Sequence, residues 1–204
     1  LLFDSIGMKK PTLITLLFFV LSSFAFSQGE WIDRVFNNGG RMKSGILNIN
    51  GKTYLFDRGV DLSGANLEGA DLDNIEFKEV NFTNTNFSNA SILGSTIFGC
   101  NFSGANFYKA KIRVTFSNLC NFTNANFTEA ELIGSIGWGS IFSNAIFKFT
   151  NLTNTRFWGE SGFIGPENGG FFVCDFDNCD FSQSIISNTS FGGSKFCWSK
   201  IFLI

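Results

Sequence analysis

From Leu62 onward a large apolar residue returns at every fifth position: Leu62, Leu67, Leu72, Phe77, Phe82, Phe87, Ile92, Ile97, Phe102, Phe107 and Ile112, then Phe122, Phe127, Leu132, Phe142, Phe147, Leu152 and Phe157. Two positions before many of these stands a small residue, as at Ala65, Ala70, Ala90, Ala105, Ala110, Ala125, Ala130 and Ala145. A helix of about 3.6 residues per turn cannot hold a strict fivefold register on one face, and a plain strand alternates with period two. A chain with this pattern has to turn a corner every five residues.

A second period sets how many corners make a coil. The stretch NFTNTNFSNASILGSTIFGC at 81–100 returns as NFTNANFTEAELIGSIGWGS at 121–140. Sorted by twenties, the large positions give Leu62, Phe82, Phe102, Phe122 and Phe142 in one column and Leu67, Phe87, Phe107, Phe127 and Phe147 in the next. The third column, Leu72, Ile92, Ile112, Leu132 and Leu152, is aliphatic throughout. Columns that keep their chemistry are stacked neighbours, so one coil is four pentads with a square cross-section. Coils about 4.8 Å apart satisfy each other's backbone as a parallel ladder, and about six and a half of them make a rod ~31 Å long. Proline would delete a ladder donor, and no pentad contains one. The outward asparagines Asn81, Asn101 and Asn121, and Asn66, Asn86, Asn106 and Asn126 on the next face, suit amide ladders running up the stack.

The units GANLE at 64–68, GADLD at 69–73, GANFY at 104–108 and NANFT at 124–128 resemble the A-(D/N)-L-x-x units of the pentapeptide-repeat family. The resemblance covers about 57–203. It implies an all-β fold, a right-handed quadrilateral parallel β-helix with four pentapeptides per coil and six to seven coils. The large central residue and the small residue two before it would point inward and the other three positions outward. Some members of that family mimic duplex DNA and act on type II topoisomerases, which makes topoisomerase binding the alternative function here. Mimicry needs dense acidity, whereas residues 57–203 carry 14 Asp and Glu against 9 Lys and Arg, and the position before the central residue is more often Asn than Asp.

Outside the repeat, residues 1–7 precede Met8 and are read as upstream of the start. Lys9 and Lys10, the apolar stretch Leu13 to Phe26 and the small residues Ala25 and Ser27 read as a secretory signal peptide over 8–27. That stretch falls short of the ~20 residues that cross a bilayer as a helix, so a retained anchor is the weaker reading. The expected location is therefore the periplasm or the extracellular space, with no membrane contact after cleavage. Residues 28–56 lack the period and are expected to cap the first coil, as a solenoid requires. Within them Glu30 to Asn37 is read as a short helix carrying Trp31 and Val35, and Ile49-Asn50-Gly51-Lys52 as a type I′ hairpin turn between ILNI and KTYLF. The register breaks at about 158–172 and resumes with Phe176, Phe181 and Ile186 in the first, second and third columns, which predicts a loop extruded at one corner. The last coil ends in apolar residues, and a homodimer through it is one way to cover them.

The chain has no His, so imidazole chemistry is excluded. Its five cysteines, Cys100, Cys120, Cys174, Cys179 and Cys197, lack the close spacing of zinc or redox sites. Cys100 and Cys120 stack one coil apart, but Cβ atoms about 4.8 Å apart exceed the usual disulfide separation, so buried thiols are expected. Cys174 and Cys179 read the same way, and Cys197 points outward. Asp175, Asp177 and Asp180 match no calcium loop and read as a solvated acidic corner. The eight N-x-S/T triplets follow from the repeat itself. With no nucleophile–base pair, phosphate loop or metal cluster in view, the expected function is a non-enzymatic scaffold without a cofactor. Its partner would be a protein, a glycan or a surface, and no direct nucleic-acid binding is expected.

The fourth column supplies the candidate partner face. It reads Phe77, Ile97, Ser117, Gly137 and Phe157, with aromatics beside it at Phe98, Phe116, Trp138 and Trp158. Phe116 and Trp138 are expected to swing inward where Ser117 and Gly137 are too small to fill the core, because an unfilled gap loses contacts. Phe98 and Trp158 are expected to project outward, with Leu93 and Ile133 at equivalent positions on the adjoining face. Exposed apolar side chains gathered on one side mark a binding surface, unless the loop covers them with Phe163, Ile164 and Phe171. The candidate residues are thus Phe98, Trp138, Trp158, Leu93, Ile133 and Phe163.

Overall fold

The structure, a computed structural model, describes residues 29–49, 51–114, 116–158, 174–191 and 194–201, with the backbone alone described at 116–118, 136–138 and 158. Bridged partners stand twenty residues apart along the coils: Asp61, Asn81, Asn101, Asn121 and Ile141 form one parallel series, and Asn66, Asn86, Asn106, Asn126 and Ile146 the next. Both periods of the sequence therefore reappear as geometry. Across 159–173 the spacing rises to 34, as Ile141 pairs with Asp175, Ile146 with Asp180 and Asn151 with Ile185. The register runs through Trp158, paired with Trp138, and resumes with Asp175 on Ile141. Residues 159–173, Phe163 and most of the expected loop included, lie outside the described residues, as does the 8–27 segment.

Each coil has four faces, whose first residues in the first coil are Asp61, Asn66, Asp71 and Glu76. The first two faces pair through single bridges between turns. Three-residue strands form on the others. On the fourth face β4 (Glu76–Lys78), β6 (Thr96–Phe98), β8 (Phe116–Asn118), β9 (Ile136–Trp138) and β10 (Arg156–Trp158) make a five-stranded parallel sheet. On the third, β5 (Ser91–Leu93) pairs with β7 (Lys111–Arg113).

The core is two continuous stacks of phenylalanine rings. Phe82, Phe102, Phe122, Phe142 and Phe176 follow one another at 4.8–4.9 Å between centroids. Phe87, Phe107, Phe127, Phe147 and Phe181 do the same at 4.7–4.9 Å. The coil spacing imposes that distance; Phe82 meets Phe87 at 69°, and from Phe87 and Phe102 onward the rings of the two stacks meet at 52–56° within the next three coils. Burying each ring contributes roughly 1.5–3 kcal/mol.

The small inward position has a second use. Where it is Thr or Ser, the buried hydroxyl donates to the carbonyl of a central residue one coil back: Thr85 to Leu62 at 2.8 Å, Ser95 to Leu72 at 2.9 Å and Thr150 to Phe127 at 2.7 Å. The position two after the central residue is held at positive φ in nearly every pentad, as at Gly64 (65°), Asn84 (57°), Gly104 (68°), Asn124 (60°) and Asn144 (60°). A left-handed residue turns the corner, and Gly and Asn adopt it at least cost.

The cap is an antiparallel sheet in the order β1 (Glu30–Phe36), β2 (Met42–Ile49), β3 (Lys52–Phe56). The expected helix over Glu30 to Asn37 is corrected: these residues pair with β2, Glu30 against Asn48 and Ile32 against Ile46. An isolated helix of that length is marginal, whereas Trp31, Ile32, Val35 and Phe36 favour a strand once an edge is available. The hairpin stands as expected, with Ile49 opposite Lys52. Trp31 meets Phe56 edge-on at 5.0 Å and donates its indole N–H to Asp71 O at 2.9 Å. Phe56 in turn packs on Phe77 and Phe82, joining the cap to the solenoid core. No helix among the described residues is long and apolar enough to cross a membrane.

Candidate interaction faces

The sheet of the fourth face sets Lys78, Phe98, Asn118, Trp138 and Trp158 side by side in register. Phe98 projects outward as expected, 43% exposed. Lys78 Nζ lies 5.9 Å from its ring centroid, within cation–π range. On the adjoining face Ile133 is 38% exposed and Leu93 half-buried. Arg113 stands directly beside Leu93 in register and is exposed, so the apolar positions there alternate with charge and form no unbroken strip. The side chains of Phe116, Trp138 and Trp158 lie outside the described residues.

Behind this sheet the core is incomplete. A cavity of about 30 Å³ is lined by Ile97 and Phe157 of the fourth column, Ile92, Ile112 and Leu132 of the third, Val114 and Ser135 at the corner, and, from the first two columns, Phe107, Phe122, Phe127 and Phe142. It lies level with Ser117 and Gly137, where the sequence places its two smallest central residues. The corner is irregular as well. Val114 stands where neighbouring coils have left-handed Gly94 and Gly134, yet it is not left-handed and is buried. Its N–H donates to Ser135 Oγ at 3.3 Å, and that hydroxyl donates to Ile112 O at 3.2 Å. Ser135 is the polar group on an otherwise apolar lining, too few partners to hold a water.

Cys100, Cys120, Cys174 and Cys179 are buried and Cys197 is exposed. A hydrogen bond with the Cys120 thiol, together with burial, pushes the Cys100 thiol far up. Burial pushes Cys174 up to about 11 and Cys179 up to about 12. Such thiols are inert packing groups at neutral pH. The Asp175, Asp177 and Asp180 oxygens are engaged locally. Asp175 accepts from Asp177 N–H and Asp180 from Ser182 N–H, while Asp177 pairs with Lys195 at 2.5 Å. The hydrogen bond from Lys195 holds the Asp177 carboxyl below the usual range.

The ladder asparagines do two jobs. Oδ1 accepts the N–H two residues on, as Asn81 does from Thr83 at 3.2 Å, and Nδ2 donates to the coil before, as Asn86 does to Asn66 at 3.0 Å and Asn126 to Asn106 at 3.0 Å. Sequence reasoning foresaw the ladder but missed the local turn, whose sign is Asn or Asp directly before the central residue. It also missed the left-handed column, though Gly59, Gly64, Gly69, Asn74, Asn84, Asn89 and Gly94 display it every fifth residue or so. Those corners carry the outermost side chains, including Leu119, Phe149 and Trp198, which is 91% exposed.

Among curated proteins none matches the chain. Among solved structures, QnrB1, a plasmid-mediated fluoroquinolone resistance protein, is 22% identical over 71% of this chain and 77% of its own, with a TM-score of 0.36. A pentapeptide repeat protein of the Arabidopsis thaliana thylakoid lumen is 25% identical over 56% of this chain and 86% of its own, with a TM-score of 0.28. HetL, a pentapeptide repeat protein involved in heterocyst differentiation regulation in the cyanobacterium Nostoc sp. strain PCC 7120, is 14% identical over 65% and 83%, with a TM-score of 0.32. The family profile described as Pentapeptide repeats matches residues 58–96 and 120–159 in 8 copies. With stacked four-sided coils and pentapeptide repeats matched on both sides of the central turns, the chain carries the pentapeptide repeat and folds as a right-handed quadrilateral β-helix.

Proposed function

We propose that the chain is a non-enzymatic interaction scaffold, exported, that engages a protein, glycan or surface through its fourth face. The observation that carries this reading is Phe98, a large aromatic held outward on a rigid parallel sheet beside Lys78. A side chain on such a sheet loses little freedom when a partner covers it, which favours affinity. Trp138 and Trp158 share its register line, and Leu93, Ile133 and Phe163 complete the proposed surface. The paired changes Phe98→Ser and Trp158→Ser should abolish capture of the partner that copurifies with the mature chain, with the far-UV spectrum and melting temperature nearly unchanged. A collapse of melting would make these residues core and remove the reading. Export predicts cleavage after Ser27, read from the intact mass of the secreted protein.

The topoisomerase reading has less support. The outward first-face column reads Asp61, Asn81, Asn101, Asn121, Ile141, Asp175 and Lys195, a largely neutral surface where a DNA mimic needs repeated negative charge. Potent inhibition of supercoiling by the mature protein would reverse the order of the two readings.

A further inference from the structure

One face of the first coil has an open edge. In the second coil, Asn81 donates its N–H to Val60 O at 3.0 Å and its carbonyl accepts from Leu62 N–H at 2.8 Å, while Thr83 O accepts from Gly64 N–H at 2.8 Å. The equivalent groups one coil earlier, Asp61 N–H, Asp61 C=O and Ser63 C=O, have no backbone partner among the described residues. The cap covers the other faces. Tyr54 Oη accepts from Asn66 N–H at 3.2 Å, Trp31 donates to Asp71 O, and Met42 donates its N–H to Asn74 O at 2.9 Å.

Beside the open edge runs a groove of about 470 Å³ with Lys52, Tyr54 and Leu55 of β3 on one wall and Val60, Asp61 and Ser63 on the other. Strand β3 is itself the edge of its sheet. Backbone groups that lack a partner recruit an added strand. We propose that this groove binds an extended peptide carrying a basic residue directly before an apolar one, docked as a parallel strand on Asp61–Ser63.

The pattern follows from the ladder. Two peptide N–H groups would donate to Asp61 O and Ser63 O, and one peptide carbonyl would accept from Asp61 N–H, as each coil does with the next. The apolar residue would cover Leu62, which at 8% is the most exposed residue of the core. The residue stacked over Asp61 has to be a donor. In the asparagine ladders each Nδ2 donates to the coil before, and Asp61 already accepts from Asn81 Nδ2 at 3.0 Å but has no N–H of its own to pass on. Its carboxyl is held below the usual range by the Ser63 N–H. A lysine or arginine supplies both donor and charge, and the last coil sets lysines over aspartates in register, Lys195 over Asp175, with its Nζ bonded to Asp177 at 2.5 Å, and Lys200 over Asp180. Nearby cations leave Asp61 uncompensated: Arg58 is bound to Glu79 at 2.8 Å, and Lys52 Nζ lies over its own Tyr54 ring at 5.1 Å.

The test uses a labelled synthetic peptide with the sequence of residues 194–201, Ser replacing Cys197, and the mature protein in a fluorescence anisotropy titration. Saturable binding is expected. Proline in place of the peptide phenylalanine removes a ladder donor, and glutamate in place of the preceding lysine reverses the charge; each should weaken binding roughly tenfold or more. In the protein, Asp61→Asn keeps an oxygen that accepts from Ser63 and Asn81, removes the charge and supplies the side-chain N–H that Asp61 lacks, so the melting temperature should hold while affinity for the basic peptide falls about tenfold. Binding indifferent to both peptide changes, or absent at millimolar peptide, overturns the proposal. Concentration-dependent assembly of the protein alone, dispersed by the peptide, would give the groove to the last strand of a second copy and overturn it as well.

Discussion

The first two columns of the solenoid and the fourth are built on the same backbone and filled in opposite ways. Phe87, Phe107 and Phe127 lie parallel at 4.9 Å, each ring the template for the next, with interplanar angles of 4° and 1°. The fourth column runs from Phe77 and Ile97 through Ser117 and Gly137 to Phe157, and a cavity sits beside the interruption. Repetition of one side chain lets a single rotamer solve every layer, because stacked coils present identical surroundings. A column that changes residue at each coil has to find a new packing each time. The face outside that irregular column is also the one that exposes Phe98. Regularity stabilises the rod, and its local loss coincides with the surface that differs from coil to coil.

The largest expected effect tests the regular half. Phe107→Ala removes a ring buried between Phe87 and Phe127, and should cost about 3–5 kcal/mol in chemical denaturation through lost transfer energy and a new cavity. A loss below about 1 kcal/mol would mean that the stacked column does not carry the stability assigned to it.

Next in size is Thr85→Val, which keeps the shape of a fully buried side chain but removes the 2.8 Å hydrogen bond to Leu62 O, leaving that carbonyl the Ala65 N–H at 3.1 Å alone. Loss of that one hydrogen bond should cost about 0.5–1.5 kcal/mol. A neutral result would show that the hydroxyl occupies the small position only for its size.

These two sites also mark what was legible in advance. The period of five and the repeat of twenty placed Phe107 in its stack without coordinates, because a solenoid makes neighbours in space out of residues at a fixed distance in sequence. The same arithmetic carried Phe176, Phe181 and Ile186 across the loop. The hydroxyl of Thr85 occupies a legible column, but its acceptor 23 residues back is a carbonyl that also takes the Ala65 N–H, and that sharing has no mark in the sequence. Strand β1 was not legible. Its partner β2 lies outside the repeat, so the pairing that overrides a short helical pattern has no period to reveal it. Of the candidate face, Phe98 and Ile133 were placed correctly by alternation, whereas the role of Arg113 between the apolar positions emerged only once the strands were set in register.

A smaller effect of opposite sign is expected at the corners. Phe149 is held at φ 58° and is half exposed, with Lys148 Nζ 5.4 Å from its ring. Phe149→Asn exchanges a residue that resists the left-handed region for one that tolerates it, and should stabilise by about 1 kcal/mol in thermal or chemical unfolding. The reverse change in the same class of corner, Gly104→Ala, should destabilise, since a Cβ there would collide with Asn84 Oδ1 at φ 68°. If both changes are neutral, the corners are free to relax and the left-handed column is a consequence of the coil, not a constraint on its sequence.

The smallest effect separates the two halves most directly. Val114 lines the cavity beside the fourth column, so Val114→Ile adds one methylene where about 30 Å³ is empty. It should stabilise by at most about 0.8 kcal/mol, the value of one buried methylene. Ala105 is fully buried at the small position between the two phenylalanine stacks and does not line the cavity. Ala105→Val should therefore destabilise, by about 1–3 kcal/mol, because overpacking forces neighbours off their rotamers. Denaturant midpoints at unchanged slope read both changes as stability differences. Opposite signs for two additions of apolar bulk would establish that the fourth column is underfilled while the first two are closed. Equal signs would mean that the coils adjust their spacing to whatever they contain, and that the cavity yields to packing as readily as the stacks do.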